Sequence, residues 1–246
     1  GWESQLVGYR LYLDYRHAID IFGKKTPSLV LHKVGHDNGN YHQMAGWGMD
    51  VLKVGKSLGL GSIGVFDKGE VLRMAEGVRI SSKQGEVGPL FASFHTLHKG
   101  WVIGGQKHRL VSKYGIHAYS HLTKAKISLQ PDDVQFVTGF VKNENTDLIR
   151  SRQNGKWAYL ASFGKQSVIK DELGMAVFYK KTDLEKISSD EYSHLVVFTP
   201  ETKTAKYYLM GAWEQEKNGV KSKKQFTNLL NQYLMRLNFP LEILYP

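Results

Sequence analysis

Short runs of alternating apolar and polar residues, each cut off by glycine or a polar turn, constrain this chain more than any other feature. Between Gln5 and Tyr15, Val7, Tyr9, Leu11, Leu13 and Tyr15 take every second position, while Gly8, Arg10, Tyr12 and Asp14 fill the gaps. Successive strand side chains point to opposite faces, so Arg10 and Tyr12 share the more polar one. Comparable runs cover 28–32, 48–54, 61–66, 71–75, 90–98, 108–113, 116–129, 134–141, 157–163, 175–179, 194–199 and 206–214. The clearest helical period comes last: Ser222 and Gln225 form a capping-box pair, and Phe226, Leu229, Leu230, Tyr233 and Leu237 recur before Pro240. A short turn is expected over 183–187. The pattern predicts an all-β fold, a large antiparallel β-sandwich over residues 1–246 as a single domain, closed by a C-terminal α-helix.

Composition narrows the function classes. Lys and Arg outnumber Asp and Glu by 33 to 23, a net charge of +10 that favours anionic partners. The basic residues are scattered, with pairs such as Lys24-Lys25 and Lys223-Lys224. No helix-turn-helix, RNA-recognition or zinc-finger spacing accompanies them, so no nucleic-acid partner is expected. The absence of cysteine removes disulfides and thiolate chemistry. No apolar run approaches the ~20 residues of a membrane-spanning helix, and no membrane insertion is expected. The chain opens on Gly1-Trp2-Glu3 without methionine, which suggests a processed product lacking an N-terminal leader or segment. There is no G-x-S-x-G elbow, Walker loop or Rossmann fingerprint.

The residues with chemical content gather in NYHQMAGWGMDVLKVGKSLGLG, which places Tyr41, His42, Trp47, Asp50 and Lys53 close together. A proton-transfer group, stacking rings and two charges suit a polar ligand. Glu3, Arg10 and Tyr12 join them from the first strand, where a guanidinium can fork a carboxylate or simply pair across strands. His32, His36, Asp37 and His42 could hold a divalent cation, but their spacing matches no recognised site, and no metal or other cofactor is assigned. His117, Tyr119 and His121 would share one strand face, whereas His95 and His98 would face apart. Trp157, Trp213 and Glu214 suit either sugar stacking or a sandwich core.

The strings WESQLVGYRLYLDYRHAIDIFGKK, YHQMAGWGMDVLKVGKSLGLGSIG, WAYLASFGKQ, LGMAVFYKK, SHLVVFTP and YYLMGAWEQE resemble a domain-of-unknown-function family of secreted polysaccharide-utilisation proteins. That family includes oligosaccharide dehydratases acting on ulvan. The resemblance covers nearly the whole chain and implies a supersandwich of the galactose-mutarotase and polysaccharide-lyase type, working in the periplasm or as a secreted protein. Trp2, Glu3, Tyr9, Arg10, Tyr12, Tyr41, His42, Trp47, Asp50, Lys53, Trp157, Trp213 and Glu214 match its pattern, while Gln5 stands where the pattern carries Asp.

The implied reaction is loss of water from the non-reducing-end uronic acid of an anionic oligosaccharide, giving a 4,5-unsaturated end. Its barrier lies in removing a proton beside a carboxylate, which a cation eases. Arg10, helped by Lys53, is expected to bind that carboxylate, with His42 and Tyr12 as base and acid in either order. Arg10 is expected to lower the Tyr12 pKa. Glu3, Tyr41, Trp47, Asp50, Trp157, Trp213 and Glu214 are expected to bind substrate. Two alternatives stand beside this reading: a lyase cleaving the glycosidic bond by β-elimination, and a non-catalytic carbohydrate-binding module.

Overall fold

The computed structural model describes residues 1–35, 40–144 and 146–241. Four strands come first: β1 (Trp2–Glu3), β2 (Val7–Leu11), β3 (Ile19–Lys24) and β4 (Gly48–Asp50). Next are β5 (Leu60–Asp67), β6 (Glu70–Leu72), β7 (Arg79–Val87), β8 (Phe91–Ile103), β9 (Gln106–His117), β10 (Leu122–Gln130) and β11 (Gln135–Val141). Then come β12 (Leu148–Arg150), β13 (Trp157–Gly164), β14 (Leu173–Lys180), β15 (Leu184–Ser189), β16 (Ser193–Phe198), β17 (Thr204–Trp213) and the helix α1 (Lys223–Asn238).

These strands make an all-β sandwich. One layer is an eight-stranded sheet in the order β12-β13-β14-β17-β10-β9-β8-β7. Facing it are a five-stranded sheet, β15-β16-β11-β5-β6, and a four-stranded sheet, β1-β2-β3-β4. Every pairing between named strands is antiparallel, and among the described residues a single parallel bridge, Ile19 to Gly59, links β3 to the residue preceding β5. Gly59 permits that bridge: its φ is +66°, and a Cβ there would stand 2.1 Å from the Ile19 carbonyl oxygen.

Alternation fills the space between layers. Val7, Tyr9, Leu11, Ile19 and Ile21 face inward with Val177, Tyr207, Leu209 and Trp213 in one buried cluster. The opposite face of β13, β14 and β17 packs Tyr159, Phe163, Phe178 and Met210 against Phe226, Leu230, Tyr233 and Leu234 of α1. Burying each such side chain contributes about 1.5–3 kcal/mol. Ser222 caps the helix, accepting from the Gln225 N–H at 3.3 Å, while the Gln225 side chain accepts from the Lys221 N–H at 2.8 Å. The capping pair therefore forms, with its return arm reaching one residue further back than a capping box does.

Several expectations fail for identifiable reasons. Residues 28–32 form turns because the Glu3 carboxylate accepts from the N–H groups of both Val30 and Leu31, at 2.8 and 2.7 Å. The run 116–129 is two strands, broken where Tyr119 adopts φ +54°. His117, Tyr119 and His121 consequently share no strand face. The turn expected at 183–187 comes earlier, at Lys181–Asp183, and β15 occupies most of the predicted span. The expected strand 48–54 stops at Asp50.

Candidate functional site

The outward face of the four-stranded sheet carries the site. Register sets Arg10 opposite Asp20 and Phe22 opposite Asp50, so β2, β3 and β4 each contribute to one face. Ahead of β4, Tyr41 and Trp47 pack over that face against Phe22, and two backbone hydrogen bonds fasten them. Lys25 N–H donates to the Trp47 carbonyl at 2.8 Å, and Asp50 N–H donates to the Tyr41 carbonyl at 2.8 Å. The Asn40 side chain accepts from the His42 N–H at 3.1 Å, fixing the turn that presents the imidazole.

Arg10 Nη2 is the hub. It stands 2.5 Å from Asp20 Oδ2, 2.5 Å from the Tyr12 hydroxyl and 3.1 Å from Asp50 Oδ2. The Tyr12 hydroxyl also donates to Asp20 Oδ2 at 3.0 Å, and His42 Nδ1 lies 3.2 Å from Asp50 Oδ2. The guanidinium is framed by rings: its Cζ is 4.5 Å from the Tyr12 centroid, 5.1 Å from Phe22 and 4.8 Å from Tyr41. Arg10 Nη1 makes no hydrogen bond with the described residues, while the buried Nε has no partner either.

One guanidinium cannot compensate two buried carboxylates. Burial, reinforced by the neighbouring Asp20, pushes the Asp50 carboxyl up to about 8. Burial and the Asp20 charge also outweigh Arg10 at Tyr12, whose hydroxyl is held well above its ordinary pKa of ~10. Arg10 was expected to lower that value, and the net shift runs the other way. Tyr12 therefore keeps its proton and donates it in the hydrogen bond to Asp20.

Other residues singled out from the sequence lie elsewhere. Glu3 pairs with the buried Lys24 ammonium at 2.6 Å and holds the 30–31 turn. Trp213 is fully buried, donates from Nε1 to Asp171 at 2.8 Å and fills the space behind Gly23, where a Cβ would meet its ring at 2.3 Å. Trp157 packs edge-on to Tyr208 on the face covered by α1. Glu214 is half-buried, and the carboxylate that works beside it is Glu216, 2.8 Å from His121 Nε2. Lys53 is exposed and pairs with no carboxylate among the described residues. Tyr41 and Trp47 line a cavity of about 480 Å³ together with Val30 and Met44. Among the described residues no three metal-ligating side chains gather. His36 and Asp37, considered as metal ligands, lie outside the described residues.

Asp20 and Phe22 were missed. The signal was an acidic residue set between two isoleucines in AIDIF, and only the β2–β3 register puts it opposite Arg10.

No curated protein matches the chain. Among solved structures it is similar to an alpha-galactosidase from Lactobacillus brevis, at 10% identity and a TM-score of 0.36, over 96% of this chain and 41% of that one. The chain thus spans well under half the length of that protein. Residues 1–243 match the domain of unknown function DUF4861, and the chain belongs to that family.

Proposed function

We propose that this protein is a carbohydrate-active hydro-lyase that removes water from the non-reducing-end uronic acid of an anionic, ulvan-type oligosaccharide. The observation that carries this reading is the contact of His42 Nδ1 with Asp50, which shares one guanidinium with Asp20 and Tyr12. An ionised Asp50 accepts the Nδ1–H, which leaves the Nε2 lone pair of an exposed imidazole free to take a proton. The net charge of +10 favours the encounter with an acidic saccharide.

In the proposed reaction Arg10 offers Nη1 to the uronate carboxylate. Nη2 is engaged internally and Nε is buried, so it binds through one donor and steadies charge as it develops. His42 Nε2 takes the C5 proton, and the electrons of that bond form the C4–C5 double bond. The C4–O bond breaks, and Tyr12 protonates the departing hydroxyl, which leaves as water. Tyr41 and Trp47 supply ring surface for the sugar. On this reading the protein works in the periplasm or as a secreted protein and needs no cofactor.

The test is incubation with saturated, uronate-terminated oligosaccharides, followed by mass and ultraviolet absorbance. Loss of one water at unchanged chain length, with growth of the unsaturated-uronate band, supports dehydration. Two shorter products would reassign the protein as a lyase. Binding without either change would make it a carbohydrate-binding module.

A further inference from the structure

The outer face of the eight-stranded sheet carries a line of basic side chains that the Arg10 site does not use. Register sets Lys206 on β17 opposite Lys126 on β10, and Lys126 opposite Lys113 on β9. Lys113 in turn stands opposite His95 on β8, and His95 opposite Lys83 on β7. The flanking residues Ala125, Ile127, Tyr114 and Tyr207 are buried, so alternation turns the row outward. All four lysines are exposed.

The line continues beyond β17. Strands β14 and β17 pair as far as Tyr179 opposite Tyr207, and the next residues are Lys180 and Lys206. Lys180 stands opposite Trp157 on β13, and its ammonium lies 5.9 Å from the centre of that ring. The helix α1 packs beside this end of the row, on Tyr159, Phe178 and Met210, and leaves the four lysines in solvent.

Such a row works against the fold. Residues directly opposite on neighbouring strands have Cβ atoms ~4.5–5.5 Å apart, and like charges so placed repel. Little on the strands offsets them. Glu86, at the register shift of β7, is the only carboxylate in β7, β8, β9, β10 and β17. None of the four lysines has an ion pair or a hydrogen bond among the described residues. A polyanion lying along the row would remove the repulsion at every step.

We infer that this row is a docking surface for a linear acidic polysaccharide, which crosses the strands with its carboxylate or sulfate groups on the lysines. Lysines are point charges on flexible stems and suit anions strung along a chain, whereas the arginine forks that read base edges are not part of the row. At the far end the Trp157 ring offers a stacking face to a sugar. Arg10 lies on the opposite side of the sandwich, so this surface holds a polymer without acting on it. The inference stands whether or not the Arg10 cluster dehydrates uronates.

The test is calorimetric titration of the full chain with alginate, neutral dextran, a duplex DNA oligonucleotide and phosphatidylserine vesicles. Alginate should bind saturably and more weakly as salt is added, and dextran should not bind. Lys113→Gln combined with Lys126→Gln should weaken alginate binding at least tenfold, at a Tm unchanged or raised by the relieved repulsion. Lys217→Gln combined with Lys224→Gln removes the same charge from exposed positions outside the row and should change affinity less than twofold. His42→Ala should bind alginate as the wild type does. No saturable binding of alginate, equal losses in the two double variants, tighter binding to DNA or vesicles than to alginate, or loss of binding in His42→Ala would each overturn the inference.

Discussion

His42 Nδ1 and Asp50 Oδ2 lie 3.2 Å apart, joining an exposed imidazole to a carboxyl that is almost wholly buried. The pairing arises because Tyr41, one residue before His42, is tied by its carbonyl to the Asp50 N–H on β4. Asp50 can thereby orient the ring, and its own ionisation decides whether Nε2 is free to act.

Activity should therefore depend on pH through Asp50. The base form needs an ionised Asp50, whose pKa burial and Asp20 raise to about 8, so kcat/KM should climb with pH towards that value. Tyr12, held above its ordinary range, should keep its proton throughout the climb. A rate profile over neutral to alkaline pH checks this. Asp50→Asn should remove the ascending limb and lower the rate.

Through Asp50, stability should run the opposite way, falling as pH rises from the ordinary carboxylate range to about 8. Asp50 binds its proton more tightly folded than unfolded, so its contribution is complete below the ordinary carboxylate range and is lost as pH rises towards about 8. His17 and His98 are depressed by burial to about 3 and about 4, so their contribution is present above ~6.5 and is lost on acidification through those values. Each titrating group supplies a slope of at most about 1.4 kcal/mol per pH unit. Chemical denaturation across pH should show a rise up to ~6.5 and a loss from there to about 8, and Asp50→Asn should flatten that loss.

Tyr12→Phe separates chemistry from folding. It removes the proposed acid and keeps the ring on which Arg16 rests at 3.8 Å. The rate should fall by ~10² to 10⁴, with a much smaller change in thermal stability. Steady-state kinetics beside a melting curve measures both.

Trp213→Ala and Glu3→Ala should act on the fold. The first empties the volume behind Gly23 and should cost about 3–5 kcal/mol. The second leaves the Lys24 ammonium buried without its carboxylate and frees the 30–31 turn, at a similar cost of about 3–5 kcal/mol. Urea denaturation checks each. A loss confined to saccharide affinity would return these residues to a binding role.

Strand alternation made much of this fold legible. The period of two in 7–11 placed Arg10 and Tyr12 together, and the 3.6-residue period located α1. What escaped was decided across strands. Ile19–Lys24 is buried at every position, so it shows no alternation of exposure, and neither this strand nor Asp20 was among the expected elements. Glu3 resembled a ligand residue because nothing in its neighbourhood announces the distant Lys24 or the amides of 30 and 31. Tryptophan has the same composition in a core as in a sugar site, and only the close approach of Gly23 distinguishes Trp213.

The most direct test is the rate of water loss from a uronate-terminated oligosaccharide carrying deuterium at C5, compared in wild type and His42→Ala. Wild type should show slower loss from the deuterated substrate, and His42→Ala should fall by ~10² to 10⁴ at unchanged Tm, since the imidazole is exposed. Equal rates from both substrates together with full activity in His42→Ala would contradict proton removal by this residue.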